Sequence, residues 1–351
     1  VALKTYAASR GALVMGPDCG TAVIDGVGLG FANAVRPGRI GIVAASGTGC
    51  QQLLSLLHLA GMTRDGVGVR WALGVGGRDL SSAVGGISTR EALRRLDADP
   101  EVDLVVVVSK PPAAEVADDL AGYVETLATP VELGLLGPGQ RDLTAVAEAV
   151  LARLGHDAPA WPMAGEDNTG VATGPLLRGL FVGGTLCDEA MLIASQVLGP
   201  IRSNIPLSPD LALDPTEQGE LLIDDHTMVD FGDDALTQGR SHPMIDPTLR
   251  NEQLERAAAD PATGVILLDL VLGHGAEPDP AALLAPAIAA ARRDRPIPVV
   301  VSLVGTDLDP QGLGSQVEAL TATGAEVHFS NASATRRAVD LISRSSKGAA
   351  Q

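Results

Sequence analysis

Two short runs, Ser46-Gly47-Thr48-Gly49-Cys50 and Gly183-Gly184-Thr185-Leu186-Cys187, each place a Gly-Thr-x-Cys signature where an apolar run gives way to an amphipathic one. A strand that turns tightly into a helix leaves about four backbone N–H groups unpaired, beside the roughly +0.5 charge of the helix dipole. Glycines let an oxyanion approach the main chain, and a Ser or Thr hydroxyl adds a donor. The chemistry on offer is phosphate or acyl-phosphate binding by Ser46, Gly47, Thr48, Gly183, Gly184 and Thr185. Two such turns converging on one anion would present about one full positive charge without a lysine. For either turn alone, a plain helix cap is the competing account. Neither turn reads G-x-x-x-x-G-K-S/T, and no G-x-G-x-x-G follows the first strand, so mononucleotide and dinucleotide fingerprints are both lacking.

Other residues suit the same chemistry. In GVGGRDLSSAVGG (74–86), Arg78 and Asp79 form a charged pair at the carboxyl end of a strand, where open α/β sheets keep ligands, and would orient a carboxylate substrate. Lys110 follows an apolar strand and precedes Pro111-Pro112, which stiffen its loop; it would add charge to a phosphate or oxyanion, or else be an exposed loop lysine. The polar segment DFGDDALTQGRSHPMIDPTLRN (230–251) offers Arg240, His242, Asp246 and Arg250 for carboxylate anchoring and proton donation, histidine titrating near neutral pH. A solvated loop whose Asp233, Asp234, Pro243 and Pro247 make turns is the alternative. A magnesium site through Asp230, Asp233 and Asp234 has weak support, because such clusters are more often turns. His274 in LGHGAEPDP is a glycine-flanked loop histidine, His58 a helical one, and Cys50 and Cys187 fit helix packing better than nucleophilic catalysis.

These residues need a frame. Apolar runs at 40–44, 71–75, 103–108 and 131–135 alternate with amphipathic stretches at 48–60, 88–97, 113–127 and 141–154. After a Pro/Gly/Asp-rich linker, strands are expected at 178–182, 227–231, 264–271, 297–303 and 325–328, and helices at 185–198, 248–259, 280–292, 310–322 and 332–344. Near-continuous Val/Ile/Leu strands alternating with helices predict parallel sheets covered on both faces: two flavodoxin-like, doubly wound α/β domains. The Gly-Thr pairs lie 137 residues apart, about one domain, which marks an internal duplication. The expected division is 1–26, a leftover helix and strand of something upstream; 27–155, the first domain; 156–175, the linker; and 176–351, the second domain.

A chain of 351 residues suits two cores, and a net charge of -18 without a Lys/Arg block disfavours nucleic acid and anionic lipid. The three cysteines, Cys19, Cys50 and Cys187, have no metal-ligand spacing and fit a reduced cytoplasmic setting. No apolar run reaches the roughly 18 to 20 residues of a bilayer span.

The motifs GPDCGTA, GRIGIVAASGTG, GVGGRDLS and LDADPEVDLVVVVSKPP resemble the ligase domain of the succinyl-CoA synthetase alpha subunit. GLFVGGTLCDEAM, MVDFGDD, VILLDLVLGHGAEPDPA and IPVVVSLVGTDLDPQGL are similar to the ligase domain of its beta subunit. Their order, with GGRDLSSAVGGIS, SKPPA and GRSHPMIDPTLRN, most resembles the FdrA family of acyl-CoA-synthetase-like proteins. In the synthetases a helix N-terminus from each ligase domain faces a phosphohistidine, so the resemblance places the two Gly-Thr turns around phosphate. No histidine lies between His58 and His156, however, so the phosphohistidine loop has no counterpart in LGLLGPGQRDL, and Lys110 replaces that histidine's glutamate partner. There is no ATP-grasp domain, and only a remnant of a CoA-binding-type Rossmann domain at 1–26.

The resemblance therefore implies a subunit of an oxamate carbamoyltransferase, acting with partner subunits in allantoin breakdown. The reaction is phosphorolysis of oxalurate to oxamate and carbamoyl phosphate, with free phosphate as nucleophile and no covalently bound cofactor. An acyl-CoA synthetase subunit, or a non-catalytic scaffold or regulatory subunit, are the alternatives. The expected partners are a small-molecule substrate and other subunits of an oligomeric complex.

Overall fold

The computed structural model describes residues 1–18, 20–165, 171–213 and 221–348; Cys19 and the linker's middle, 166–170, lie outside the described residues. The chain divides into two units, Val1–Ala160 with Gly273–Gly275, and Trp161–Leu272 with Ala276–Gln351. No helix among the described residues is long and apolar enough to cross a membrane.

The first unit runs α1 (Ala2–Ser9), β1 (Thr21–Ile24), β2 (Val27–Gly30), β3 (Ile40–Ala45), α2 (Gly47–Gly61), β4 (Val69–Gly74), α3 (Ile87–Asp97), β5 (Leu104–Ser109), α4 (Ala114–Val124), β6 (Val131–Leu135) and α5 (Leu143–Arg153). Every residue of β3 and β5 is buried, as strands covered on both faces require. The sheet order is β2-β1-β4-β3-β5-β6; β4, β3, β5 and β6 are parallel, and the β1–β2 hairpin joins antiparallel at β4. α2 packs with α5, and α1 with α3. Val43, Val105 and Val107 of the sheet share one core with Leu93 and Leu96 of α3 and Val116 and Leu120 of α4.

The second unit runs β7 (Met163–Ala164), β8 (Leu176–Phe181), α6 (Gly184–Leu198), a 3-10 turn at Pro209–Leu211, β9 (Thr227–Asp230), α7 (Asp234–Thr237), α8 (Thr248–Ala259), β10 (Thr263–Val271), α9 (Pro280–Arg292), β11 (Val299–Val304), α10 (Leu313–Thr321), β12 (Glu326–His328) and α11 (Asn331–Gly348). Its order is β7-β12-β11-β10-β8-β9, parallel except for β7. α6 packs with α11, while α9 packs with α8 and α10.

Counted from the first parallel strand of each unit, β3 or β8, the order in both is the flavodoxin-like 2-1-3-4, extended by a fifth strand in the second. The strand order reverses between β3 and β5, and again between β8 and β10, the switch points where such sheets bind ligands. Each Gly-Thr turn sits at the carboxyl end of the strand that begins its switch point. The expected parallel strands and long helices are all present, with ends shifted by a few residues. α1 and β1 fall where a helix and a strand were expected within 1–26; β2 and β7 were not expected, since each is four residues or fewer and β2 is mostly exposed, so neither shows an apolar period.

Candidate functional site

At the end of β3 the backbone of Ser46 is extended (φ -163°, ψ 124°), and its Oγ accepts from the Gly49 amide at 3.0 Å. Ser46 is thus the helix N-cap, and its hydroxyl satisfies one of the helix's first donors. Gly47 is exposed and Thr48 half-buried, and among the described residues nothing accepts from either amide or from the Thr48 hydroxyl. A Cβ on Gly47 would meet only Thr21 Oγ1, at 3.7 Å, and its φ is not positive. Packing therefore does not demand glycine here, whereas close approach by a ligand would.

Lys110 borders this turn. Ser109 pairs in register with Ala45, so the residue after each strand, Lys110 and Ser46, leaves the sheet side by side. Lys110 is half-buried, and its ammonium has no partner among the described residues. Its loop is tied to the 74–86 loop by the Ala113 amide donating to Leu80 O at 3.0 Å. Arg78 is exposed on that second loop.

Asp79 does not share that exposure. It is 1% exposed; Oδ1 accepts from Lys4 Nζ at 2.5 Å and Ser88 N at 3.3 Å, and Oδ2 from Thr89 N at 2.8 Å and Thr89 Oγ1 at 2.7 Å. This carboxylate is taken by α1 and the start of α3, so it braces the loop instead of binding a substrate.

The second turn is built differently. Asp269, fully buried in β10, accepts from Val182 N at 2.7 Å and Gly183 N at 2.9 Å. The Gly183 amide, expected to hold phosphate, is therefore occupied by a carboxylate of the protein. Gly184 is half-buried, and Thr185, at 1% exposure, is enclosed. Burial pushes the Asp269 carboxyl up to about 6, against the lowering effects of Arg250 and the two amides. Arg250, 2% exposed, donates to Asp269 O at 2.7 Å and stands 3.6 Å from Oδ1. It is a countercharge inside the fold and not a substrate anchor, and burial lowers its pKa in turn. Desolvation dominates both partners, so the pair offsets only part of the cost of its own burial.

Arg240 and Asp246 do come together. With Phe231, Leu236, Thr237, Gly239, Ser241, Pro243, Thr248 and Leu249 they line a cavity of about 420 Å3 in the second unit. His242 is half-buried next to it; its Nδ1 accepts from Met244 N at 3.2 Å, which leaves Nε2 as the N–H of the neutral ring. That nitrogen would lie 2.7 Å from a Cβ on Gly232, so glycine makes room for the ring. Asp230 Oδ1 accepts from Gly232 N at 2.9 Å, and Asp233 Oδ1 from Ala235 N at 3.0 Å, so both shape turns. Among the described residues no group of three His, Cys, Asp or Glu could hold a metal ion.

His58 Nδ1 accepts from Arg36 N at 3.1 Å, and His274 N donates to Ala32 O at 2.8 Å. Cys50 and Cys187 are both fully buried in their helices. Sequence reasoning did not single out Asp269, although a lone carboxylate in the apolar run VILLDLVL was a signal: a charge inside a covered strand needs a partner.

The CoA-ligase family model matches residues 180–341. The Escherichia coli (strain K12) protein called "Uncharacterized protein YahF" is 40% identical over 352 residues, 92% of this chain and 66% of its own length, so the chain spans about two thirds of that relative. Among solved structures, a dinucleotide-forming acetyl-coenzyme A synthetase from Ca. Korarchaeum cryptofilum, in complex with phosphate and ADP, is 16% identical over 99% of this chain and 74% of its own, with a TM-score of 0.29. An ATP citrate lyase from Methanosaeta concilii, in complex with (3S)-citryl-CoA, is 13% identical over 75% of this chain and 38% of its own, with a TM-score of 0.29. The matched residues run from β8 into α11 of the second unit.

Proposed function

We propose that this chain is a subunit of an oxamate carbamoyltransferase of the FdrA type, and that phosphate binds at the Ser46-Gly47-Thr48 turn with Lys110 beside it. Phosphate attacks the ureido carbonyl carbon of oxalurate, the C–N bond to the amide breaks, and the departing nitrogen takes a proton. The products are carbamoyl phosphate and oxamate. The observation that carries the reading is the open turn at the first switch point: an exposed glycine that packing does not require, first-turn amides of Gly47 and Thr48 without acceptors among the described residues, and a lysine without a partner there, directly after the neighbouring strand. These hold and orient the nucleophile and balance its charge. The absence of a histidine in the sequence between His58 and His156 favours free phosphate over a phosphohistidine carrier.

The test is phosphate-dependent loss of oxalurate by the full chain with its partner subunits. The expected products are carbamoyl phosphate and oxamate; complete complexes that form neither defeat the proposal. Replacing Lys110→Met removes a charged hydrogen-bond donor and should raise the KM for phosphate by about 10- to 100-fold. In calorimetric titration Thr48→Val should weaken phosphate binding by about tenfold, whereas Thr185→Val, at an enclosed residue, should leave it unchanged.

The CoA-ligase match over 180–341 favours a second reading, a subunit of an acyl-CoA synthetase. It predicts CoA-dependent activity and acid-labile phosphate on a histidine after incubation with acyl phosphate, detectable by mass spectrometry.

A further inference from the structure

The cavity lined by residues 231–249 holds two opposite charges that the fold leaves available. Its apolar wall is Phe231, Leu236, Pro243 and Leu249, and its volume of about 420 Å3 lies at the small end of ligand sites. The guanidinium of Arg240 makes no hydrogen bond or ion pair among the described residues. Asp246 commits only Oδ1, which accepts from Thr248 N at 3.1 Å and Thr248 Oγ1 at 2.5 Å; Oδ2 has no partner among the described residues. Hydrogen bonds from Thr248, and to a smaller extent the charge of Arg240, hold the Asp246 carboxyl below its usual range. The two side chains thus sense one another across the cavity without closing into an ion pair.

This arrangement selects its occupant. A simple anion would meet Asp246 repulsively, and a simple cation would meet Arg240 in the same way. A molecule with an acceptor at one end and a donor at the other satisfies both. We propose that the cavity binds a small amido or ureido acid, its carboxylate on Arg240 and its N–H on Asp246 Oδ2, with its flat face against the apolar wall. Arg suits the carboxylate end because its planar fork can grip both oxygens. The link from this binding to catalysis rests on the phosphorolysis reading above; the binding itself does not.

Oxamate and pyruvate are near-isosteric probes, an amide NH2 in one replaced by a methyl in the other. Calorimetric or NMR titration of the full chain should find oxamate bound roughly tenfold or more tightly than pyruvate, since only oxamate can donate to a carboxylate. Arg240→Gln should weaken both ligands by a similar factor, and Asp246→Asn should erase the preference between them. Both residues are exposed, so unchanged thermal melting is the expected control for folding. Equal affinity for the two probes, or oxamate affinity indifferent to Arg240→Gln, overturns the assignment. If oxamate binds in the expected pattern while the complete complex makes no carbamoyl phosphate, the cavity assignment stands and the phosphorolysis proposal falls. Turnover by a chain whose oxamate affinity ignores Arg240 does the opposite: the cavity assignment falls and phosphorolysis stands.

Discussion

The turns at Gly47 and Gly184 share the three fixed residues of the Gly-Thr-x-Cys signature and one place in the topology, yet they treat an anion differently. Gly47 and Gly184 are equivalent in the duplication, which sets Val43 level with Leu180. Val43 pairs with Val107 and Leu180 with Leu268, so Val108 in the first sheet holds the position that Asp269 holds in the second. With valine there, the first turn is capped by its own serine, and its outer amides stay open. With aspartate there, the second turn has a carboxylate built in and needs Arg250 to balance it. A duplicated motif preserves backbone geometry more readily than ligand capacity, because one side chain from a neighbouring strand can occupy the donors the motif exposes.

The largest expected contrast is in stability. Asp269→Ala leaves Arg250 buried without its countercharge and should cost about 3–5 kcal/mol, whereas Ser46→Ala removes only a cap and should cost about 1 kcal/mol. Urea denaturation of the two variants measures the gap, and equal losses would erase the distinction between the turns. Next in size is pH dependence. The folded carboxyl of Asp269 is raised to about 6 from 3.8, so between those values the folded chain holds the proton that the unfolded chain releases. Its contribution is complete below about pH 4 and lost as pH rises through about 6, a change on the order of 3 kcal/mol. Asp269→Asn should flatten the stability profile in that window. The smallest effect is on ligand affinity: Gly47→Ala should weaken phosphate binding by about tenfold with little change in melting, while Gly184→Ala should leave it within roughly twofold. Equal losses at the two glycines would mean that both turns bind the anion alike.

The sheets were legible because their central strands are continuous apolar runs, LVVVVS in β5 and VILLDLV in β10, bracketed by amphipathic helices. The open turn was legible too, since a strand, Ser-Gly-Thr and a helix specify its geometry locally. What could not be read is what distant residues do to those donors. Asp269 reaches Gly183 from 86 positions away, and Lys4 reaches Asp79 from 75. A one-dimensional reading therefore mistook Asp79, Arg250 and Gly183 for ligand groups, although each is satisfied by a partner that only the folded chain supplies. Arg240 and Asp246 lie six positions apart on one loop, and proximity in sequence was enough to join them.

The bond from Lys4 to Asp79 also makes the first helix more than a leading segment. Lys4 Nζ grips Val75 O at 2.6 Å as well, so one ammonium rivets α1 to both ends of the bend that carries Arg78. Cutting α1 away would leave the buried Asp79 with only its bonds from Ser88 and Thr89 and slacken the rim of the first sheet, many residues downstream of the cut. Mechanical or proteolytic insult at α1 should therefore be felt first as disorder around Arg78, before the strands themselves give way.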